Sequence, residues 1–563
     1  MNNSGKYQKQ FYIPDGVTMD WMRQASVEKP PIWCSVDLRD GNQSLITPMN
    51  LDEKLQFFGL LCEIGFKEIE IGFPAASETE FKFCRALIDR NLIPDDVTVQ
   101  VITQAREHII ERTFSAIRGA KRAIVHLYSS TSSAYREQVF QKDKEEVKRL
   151  AVEAAAVCKR NADGFDGELT LEYSPESFTA TEPEYALEIC NAVLSVWQPT
   201  AQNKAIINLP ATVENSMPHV YGAQVEYMSK GLSHRESVIL SLHPHNDRGT
   251  GVAATEFGLL AGGERVEGTL FGNGERTGNA DIVTLALNMY AQGVDAGLDF
   301  SDLPMLTRVY EETTGMRIPE RQPYSGALVF ASFSGTHQDA IAKSMKYREE
   351  RGVSVWNVPY LPIDPSDVGR AYETDVIRIN AQSGKGGIGH ILETHFHFVL
   401  PKKFREAFGY HVKGISERTQ RELVAQDLHD IFLKDFVNVH YPVSLQKATF
   451  DAEHEFQGVD YPEEVRAKLV LSYGGEEQKF ISSGNGRLAA ACNALKKSVG
   501  KEFTLVSYNE HALEEKFTSK AASYVCIVQD GKPYWGAGIH SDIMASSLNA
   551  LLSAVNRMLA AEK

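Results

Sequence analysis

The sequence predicts a (β/α)8 TIM barrel, followed by a mainly helical linker region and a C-terminal α/β domain made of two copies of one unit. Three observations carry that expectation. Short apolar runs alternate with helical patterns eight times between Ile32 and Gln292. Polar residues gather just past the ends of successive runs: Arg39 and Asp40, then His126, Glu176, Thr212, His243 with His245, and Asn273 to Asn279. A strand, turn, strand, helix pattern then occurs twice beyond Val437. A doubly wound open sheet competes for the same count of strands. Polar residues converging from so many run ends favour the barrel, whose C-terminal face collects them.

Residues 1–30 are polar, with scattered aromatics and Pro14, Pro30 and Pro31, and read as an arm lying on another surface. The barrel is expected over 31–305. Its first run, Ile32 to Val36, breaks into Asp37-Leu38-Arg39-Asp40-Gly41-Asn42-Gln43-Ser44. Asn50 with Glu53 forms a capping box, Leu51, Leu55, Phe58, Leu61 and Cys62 share one helical face, and Gly65 stops the helix. Further runs follow at Ile69–Phe73, Val97–Ile102, Ala123–Leu127, Leu169–Tyr173, Ala205–Leu209, Val238–Leu242 and Val266–Phe271. Helical patterns between them include Lys142–Lys159, Glu184–Trp197 and Asp281–Gln292.

Charges beside an apolar strand need partners or a metal. Asp37, Arg39 and Asp40 read either as an ion pair closing a barrel mouth or as part of a metal site. In the run ending His243-Pro244-His245-Asn246-Asp247, both imidazoles share one face of an extended chain. Two histidines with Asp40 make a common divalent-cation set that leaves positions open for a ligand. Gly272-Asn273-Gly274-Glu275-Arg276-Thr277-Gly278-Asn279 is either a backbone anion cradle or a tight turn. Arg39, a three-ligand metal and Thr212 together suit a 2-oxo acid: cation and guanidinium polarise its ketone, and the hydroxyl holds its carboxylate. No Ser-His or Cys-His nucleophile pair declares itself.

From Ser301 to about His429 the alternation stops, and prolines at 304, 319, 323, 359, 362 and 365 and the run Gly384 to Gly389 mark a linker region, expected over 306–436. Within 437–563 the first copy runs Lys468–Tyr473, Lys479–Ser482 and a helix at Arg487–Lys497. The second runs Ser523–Gln529, the hairpin turn Asp530-Gly531, Pro533–Ala537 and a helix at Asp542–Leu559. A duplicated module remote from the chemistry is a candidate sensor.

With 563 residues, 43% hydrophobic and 23% charged, the composition is that of an ordinary globular protein of two or more domains. The formal net charge of -16 opposes binding to nucleic acid. Seven scattered cysteines without a C-x-x-C pair argue against a disulfide framework or a thiolate zinc site. No apolar run is long enough to cross a bilayer and no signal-like segment opens the chain, so a cytoplasmic location is the expectation.

Asp37 to Gln43, His243 to Asp247 and Gly272 to Asn279 together resemble the acyl-CoA-condensing, metal-dependent barrel family. Ile69 to Pro74, Tyr173 to Ser177, Ser334 to Asp339 and Val358 to Pro365 extend the resemblance over nearly the whole chain, to the longer bacterial type of 2-isopropylmalate synthase. The resemblance implies that Asp40, His243 and His245 ligate magnesium, manganese or zinc, with Asn279 as a weaker ligand. By the same likeness Arg39 faces the ketone, Thr212 and His126 hold the oxo acid, and Glu176, His337 and Tyr360 do acid-base work. His337 and Tyr360 are implied to reach a neighbouring subunit's barrel, hence a homodimer. The implied reaction joins acetyl-CoA to 3-methyl-2-oxobutanoate, with leucine as effector at the duplicated domain. Citramalate or homocitrate synthesis, a retro-Claisen acyl-CoA lyase and a non-catalytic amino-acid sensor are the rival readings. Where relatives carry a small glycine-rich loop with an aspartate, this chain has Ala512-Leu513-Glu514-Glu515-Lys516-Phe517-Thr518-Ser519-Lys520, a bulkier loop expected to weaken leucine inhibition or leave the domain to dimer stability.

Overall fold

Strand β1, Ile32–Ser35, pairs on one side with β2, Glu68–Gly72, and on the other with β8, Arg265–Gly268, so the sheet closes. Between them lie β3 (Thr98–Gln104), β4 (Arg122–Ser130), β5 (Glu168–Glu176), β6 (Ala205–Ala211) and β7 (Val238–Pro244), all parallel and in sequence order. The computed structural model describes residues 3–7, 12–332, 334–372, 389, 391–393, 396–419, 423, 425–451, 464–513 and 520–561. Residues 384–388 of the glycine run and Glu514 to Ser519 of the bulky loop lie outside the described residues.

Helices follow the strands as their caps dictate. α1, Leu51–Ile64, starts on the reciprocal Asn50–Glu53 capping box and stops at Gly65, whose φ of 111° suits glycine. α2 (Glu78–Asp89) is capped by Ser77, α3 is Glu107–Ile117, and α4 (Lys144–Ala162) carries a second capping box, Asp143 with Glu146. α5 (Pro183–Trp197) and α6 (Pro218–Gly231) begin with proline, whose missing N–H costs nothing at a first turn. α7 (Gly251–Leu260) and α8 (Ile282–Tyr290, capped by Asp281) complete the ring.

Among the strand ends that depart from the apolar runs, β4 and β5 extend furthest and β8 stops furthest short. β4 and β5 continue through Ser129, Ser130, Ser174 and Glu176, because Ser130 still pairs with Glu176. β8 stops at Gly268, and the chain turns through Phe271 at φ 57°, so the end of the expected run is not strand. A Cβ at Gly268 would stand 2.6 Å from the carbonyl of Ala280, which fixes glycine there.

The arm is fastened to α6. Glu226 accepts hydrogen bonds from the backbone N–H groups of Thr18 and Met19, the Thr18 hydroxyl, Trp21 Nε1 at 2.9 Å and Lys230 Nζ at 2.5 Å. Burial alone would raise the carboxyl pKa; these donors lower it to about 2. Trp21 lies against Phe257 and over Gly222, where a Cβ would come within 2.7 Å of the indole.

The contacts divide the chain into one unit of residues 1–329 with 363–371 and a second of 330–362 with 372–563. The first holds the barrel and α9, Leu303–Thr314. The second holds α10 (Gly335–Arg351), α11 (Lys402–Thr419) and α12 (Ala425–Phe436), then two three-stranded antiparallel sheets. One sheet is β9 (Val443–Phe450), β10 (Val465–Tyr473) and β11 (Glu476–Gly484), followed by α13 (Arg487–Val499). The other is β12 (Thr504–Ala512), β13 (Ala521–Gln529) and β14 (Lys532–His540), followed by α14 (Ile543–Ala560). The duplication holds, with one strand more per copy than expected. Asp530-Gly531 and its counterpart Gly474-Gly475 all have positive φ, as tight hairpin turns need. Apolar faces of both sheets and both helices share one core, including Leu469, Leu471, Val525, Ile527, Leu551 and Val555.

Candidate active site

Barrel strands alternate their side chains, so Ile69 and Ile71 pack outward against helices while Glu70 between them points inward. Gln100, Glu172, Asn208, Ser241, Arg265 and Glu267 likewise stand inside the barrel, and all are buried. Arg265 offers Nη1 to Ser241 and Glu267 at 2.8 and 2.9 Å, Nη2 to Gln100 at 2.6 Å and Nε to Glu68 at 2.5 Å. This floor is polar, and the chemistry rests on it.

Past β1, residues Asp37–Gly41 make a wide π-type turn. Asp37 ties it to the last strand, accepting from Ser35 Oγ at 2.8 Å and from the N–H of Leu270 at 3.1 Å. Burial raises its carboxyl to about 7. Arg39 sits between two carboxylates, with Nε 2.5 Å from Glu70 Oε2 and Nη1 2.9 Å from Asp40 Oδ1. Its Nη2 has no protein acceptor among the described residues. Burial opposes a charged guanidinium, but Glu70 and Asp40 hold it protonated.

Asp40 Oδ2 stands 3.4 Å from His243 Nε2 and 3.5 Å from His245 Nε2. All three groups are buried. Two ligands about 2.1 Å from one ion are about 3.0–3.4 Å apart, so the three atoms have the spacing of a coordination sphere. Asp40 Oδ2 accepts no good hydrogen bond, and neither does Asn279 Oδ1, on the residue whose backbone pairs with His245. Buried oxygens without donors are costly, and a cation held by Asp40 and the two histidines relieves that cost at Oδ2. The residues present therefore fit a divalent metal. Burial lowers the pKa of His245 to about 4 and keeps it neutral, as a ligand must be. Burial would lower His243 too, but the carboxylates of Asp40 and Glu267 raise it to about 9.

Asn279 is set by the glycine loop. Its Nδ2 donates to the carbonyl of Asn273 at 2.9 Å, and its backbone pairs with His245. The N–H groups of Gly272, Asn273, Gly278 and Asn279 are bonded within the chain, and a Cβ on Gly278, at φ +96°, would overlap the carbonyl of Gly272. The tight-turn expectation describes Gly272 and Gly278. Arg276 clamps the loop, reaching Asp247 Oδ1 at 2.7 Å and the carbonyl of Thr212.

These groups line a cavity of about 330 Å³ with Glu176, Ser174, His126 and an apolar wall of Phe73, Ile102, Tyr128 and Pro210. Ser130 donates to Glu176 Oε2. Thr212 Oγ1 accepts from the N–H of Ser177 at 2.9 Å, which leaves its own proton to donate. His126 is nearly enclosed: Nδ1 donates to Glu70 at 3.0 Å, and Nε2 meets Ser174 Oγ at 2.7 Å. His337 and Tyr360 lie in the second unit, their rings stacked with centroids 3.9 Å apart; Tyr360 has φ 66° and is largely exposed.

Profiles of known families match the chain in three places: HMGL-like over residues 30–309, the alpha-isopropylmalate synthase post-catalytic domain-like family over 327–393, and the LeuA allosteric (dimerisation) domain over 422–559. The 2-isopropylmalate synthase of Helicobacter hepaticus is 54% identical over 560 residues, covering 98% of this chain and 99% of that protein. The chain belongs to the 2-isopropylmalate synthase family. The relative from Desulfitobacterium hafniense is 55% identical over 560 residues, covering 99% of each chain. That from Clostridium acetobutylicum is 51% identical over 535 residues, covering 94% of this chain and 95% of the relative.

Arg39, Asp40, His126, Glu176, Thr212, His243, His245 and Asn279, singled out from the sequence, all come to the same end of the barrel. Sequence reasoning assigned no role to Glu70, Gln100, Asn208, Arg265 or Glu267. A signal was present for three of them, each a charged or amide residue flanked by apolar ones, as in Ile69-Glu70-Ile71, Val99-Gln100-Val101 and Ile207-Asn208-Leu209; Arg265 and Glu267 share the short, mostly polar stretch Glu264-Arg265-Val266-Glu267 and gave none. The closed barrel turns that pattern into one connected interior.

Proposed function

We propose that this chain condenses acetyl-CoA with 3-methyl-2-oxobutanoate and hydrolyses the thioester, releasing 2-isopropylmalate and CoA as the entry step of leucine synthesis. The observation that carries this reading is the pair of donorless buried oxygens at Asp40 and Asn279, grouped with two histidines beside an unspent Arg39 nitrogen. Agreement with 2-isopropylmalate synthases along nearly the full chain supports it.

Asp40, His243 and His245, with Asn279 beside them, would hold a magnesium, manganese or zinc ion, which when bound supplies Lewis-acid polarisation of the substrate's ketone. Arg39 Nη2 donates to the same ketone oxygen and strengthens its bond as negative charge develops there. The Thr212 hydroxyl donates to the oxo acid's carboxylate, and Ser174, backed by His126, bounds the other side. Phe73, Ile102, Tyr128 and Pro210 take the isopropyl group. Glu176 removes a proton from the thioester methyl, and the freed pair forms the new C–C bond to the ketone carbon. The proton that Glu176 took is returned to the resulting alkoxide. Water then attacks the thioester carbonyl, the C–S bond breaks, and CoA leaves as the thiol. His337 and Tyr360 serve these proton transfers from a second subunit of a homodimer, and leucine acts at the duplicated domain.

Thiol release from acetyl-CoA with added divalent metal, across pyruvate, 2-oxobutanoate, 3-methyl-2-oxobutanoate and 2-oxoglutarate, tests the reading. The expected result is a preference in kcat/KM for 3-methyl-2-oxobutanoate, lowered by leucine. A preference for pyruvate or 2-oxoglutarate would move the chain to citramalate or homocitrate synthesis, and silence with all four would leave a sensor.

A further inference from the structure

The fully buried Glu267 carboxylate accepts four hydrogen bonds from residues on four strands. Oε1 takes Gln100 Nε2 at 2.8 Å and Arg265 Nη1 at 2.9 Å; Oε2 takes Asn208 Nδ2 at 2.9 Å and His243 Nδ1 at 2.7 Å. A carboxylate has about four lone-pair sites, so this one is saturated. Gln100 passes the connection on to Glu70 at 3.1 Å, and Glu70 holds both Arg39 and His126. At the neighbouring group His126, Glu172 and Glu267 a positive charge is already in place, because Arg265 Nη1 stands 2.9 Å from Glu267 and 3.6 Å from Glu172.

We propose that Glu267 is the positioning residue that gives His243 its metal-binding tautomer, with Arg265 locking the orientation. A carboxylate can only accept, so the proton on Nδ1 of His243 is held by Glu267, and Nε2, facing Asp40 Oδ2, is the nitrogen whose lone pair goes to the ion when the ion displaces any proton there. The inference rests on the metal reading above and adds a cause for it. Arg265 makes the arrangement sensitive to a single atom. A guanidinium is a donor in every state, so the amide made by Glu267→Gln must turn its one oxygen to Arg265. Its NH2 then faces Asn208 and His243. Asn208 can flip its own amide to accept, but His243 must accept at Nδ1 and move its proton to Nε2. A protonated Nε2 cannot ligate.

The test is the affinity for Mn2+, followed by the EPR signal of the free ion during titration of the full-length protein. Parent, Glu267→Gln, Glu267→Asp and, as a reference, His243→Ala are compared, with circular dichroism and metal-free melting temperature recorded for each. Glu267→Asp keeps the charge facing Arg265 but is one methylene shorter, so it cannot reach both Arg265 and His243. The expected result is a dissociation constant raised about ten- to a hundredfold in both Glu267 variants while the fold is retained. A parent that binds no Mn2+ overturns the metal reading and this inference with it. A parent that binds, with a folded Glu267 variant within twofold of it, overturns the inference alone. Unfolding of both variants would assign Glu267 to barrel stability and overturn the positioning role.

Discussion

Arg39→Lys keeps the charge and should still remove most of the activity. The guanidinium has three separate duties: Nε hydrogen-bonds Glu70 at 2.5 Å, Nη1 is ion-paired with Asp40 at 2.9 Å, and the side chain lines the cavity. A lysine has one nitrogen on a longer stem and cannot serve buried Glu70, Asp40 and a substrate oxygen together. Each charge-assisted hydrogen bond is worth about 1.5–3 kcal/mol. Losing one or two of them in the transition state costs about 2–4 kcal/mol, a fall of about 30- to 900-fold in kcat. Steady-state thiol release with saturating 3-methyl-2-oxobutanoate reads this, and Mn2+ affinity of the same variant shows whether Asp40 kept its place. A kcat within threefold of the parent would refute the division of duties.

Three further outcomes follow from the same geometry. If His337 and Tyr360 complete a partner's barrel, mixing His337→Ala with Asp40→Ala subunits yields heterodimers with one intact site, and activity should recover to roughly one quarter of the parent's; no recovery would place each site within one subunit. Asp37 holds its proton up to about pH 7 in the folded state, well above its unfolded value, so its contribution to stability is full at low pH and is lost as pH rises from about 4 to about 7. Asp37→Asn should therefore flatten the parent's decline in denaturation midpoint between pH 4 and 7, and parallel profiles would contradict the assignment. Glu226→Ala strips four hydrogen bonds from the arm and leaves Trp21 Nε1 buried without an acceptor, so it should cost about 2–4 kcal/mol and open Arg23 to trypsin, which limited proteolysis would show.

The barrel was readable because each strand is an apolar run and each helix carries its own stop signals, such as the Asn50 capping box and Gly65. Strand ends were less readable. Ser174-Pro175-Glu176 has loop composition, yet parallel pairing with Ser129 and Ser130 keeps it in the sheet. In the C-terminal domain the first strand of each copy was missed, since Val443–Phe450 and Thr504–Ala512 are half-exposed and rich in polar residues. Their strand character comes from pairing with β10 and β13 rather than from hydrophobic periodicity. The metal group was visible because Arg39-Asp40 and His243-x-His245 are local motifs at strand ends. Its support was not, because Gln100, Asn208 and Glu267 are far apart in sequence and meet only when β8 closes on β1. Nothing in a stretch such as Val99-Gln100-Val101 says which carboxylate its amide will face.

At the Asp40–His243–His245 end of the barrel, the proposed reaction forms a carbon–carbon bond between an acetyl thioester and a ketone. The most direct test is to supply acetyl-CoA deuterated in its methyl group with 3-methyl-2-oxobutanoate and divalent metal, and to weigh the products by mass spectrometry. The account expects 2-isopropylmalate retaining two of the three deuterons, formed one-to-one with free CoA, because one deuteron leaves before the bond forms. Free CoA appearing with trideuterated acetate and no coupled product would contradict it, reducing the site to thioester hydrolysis.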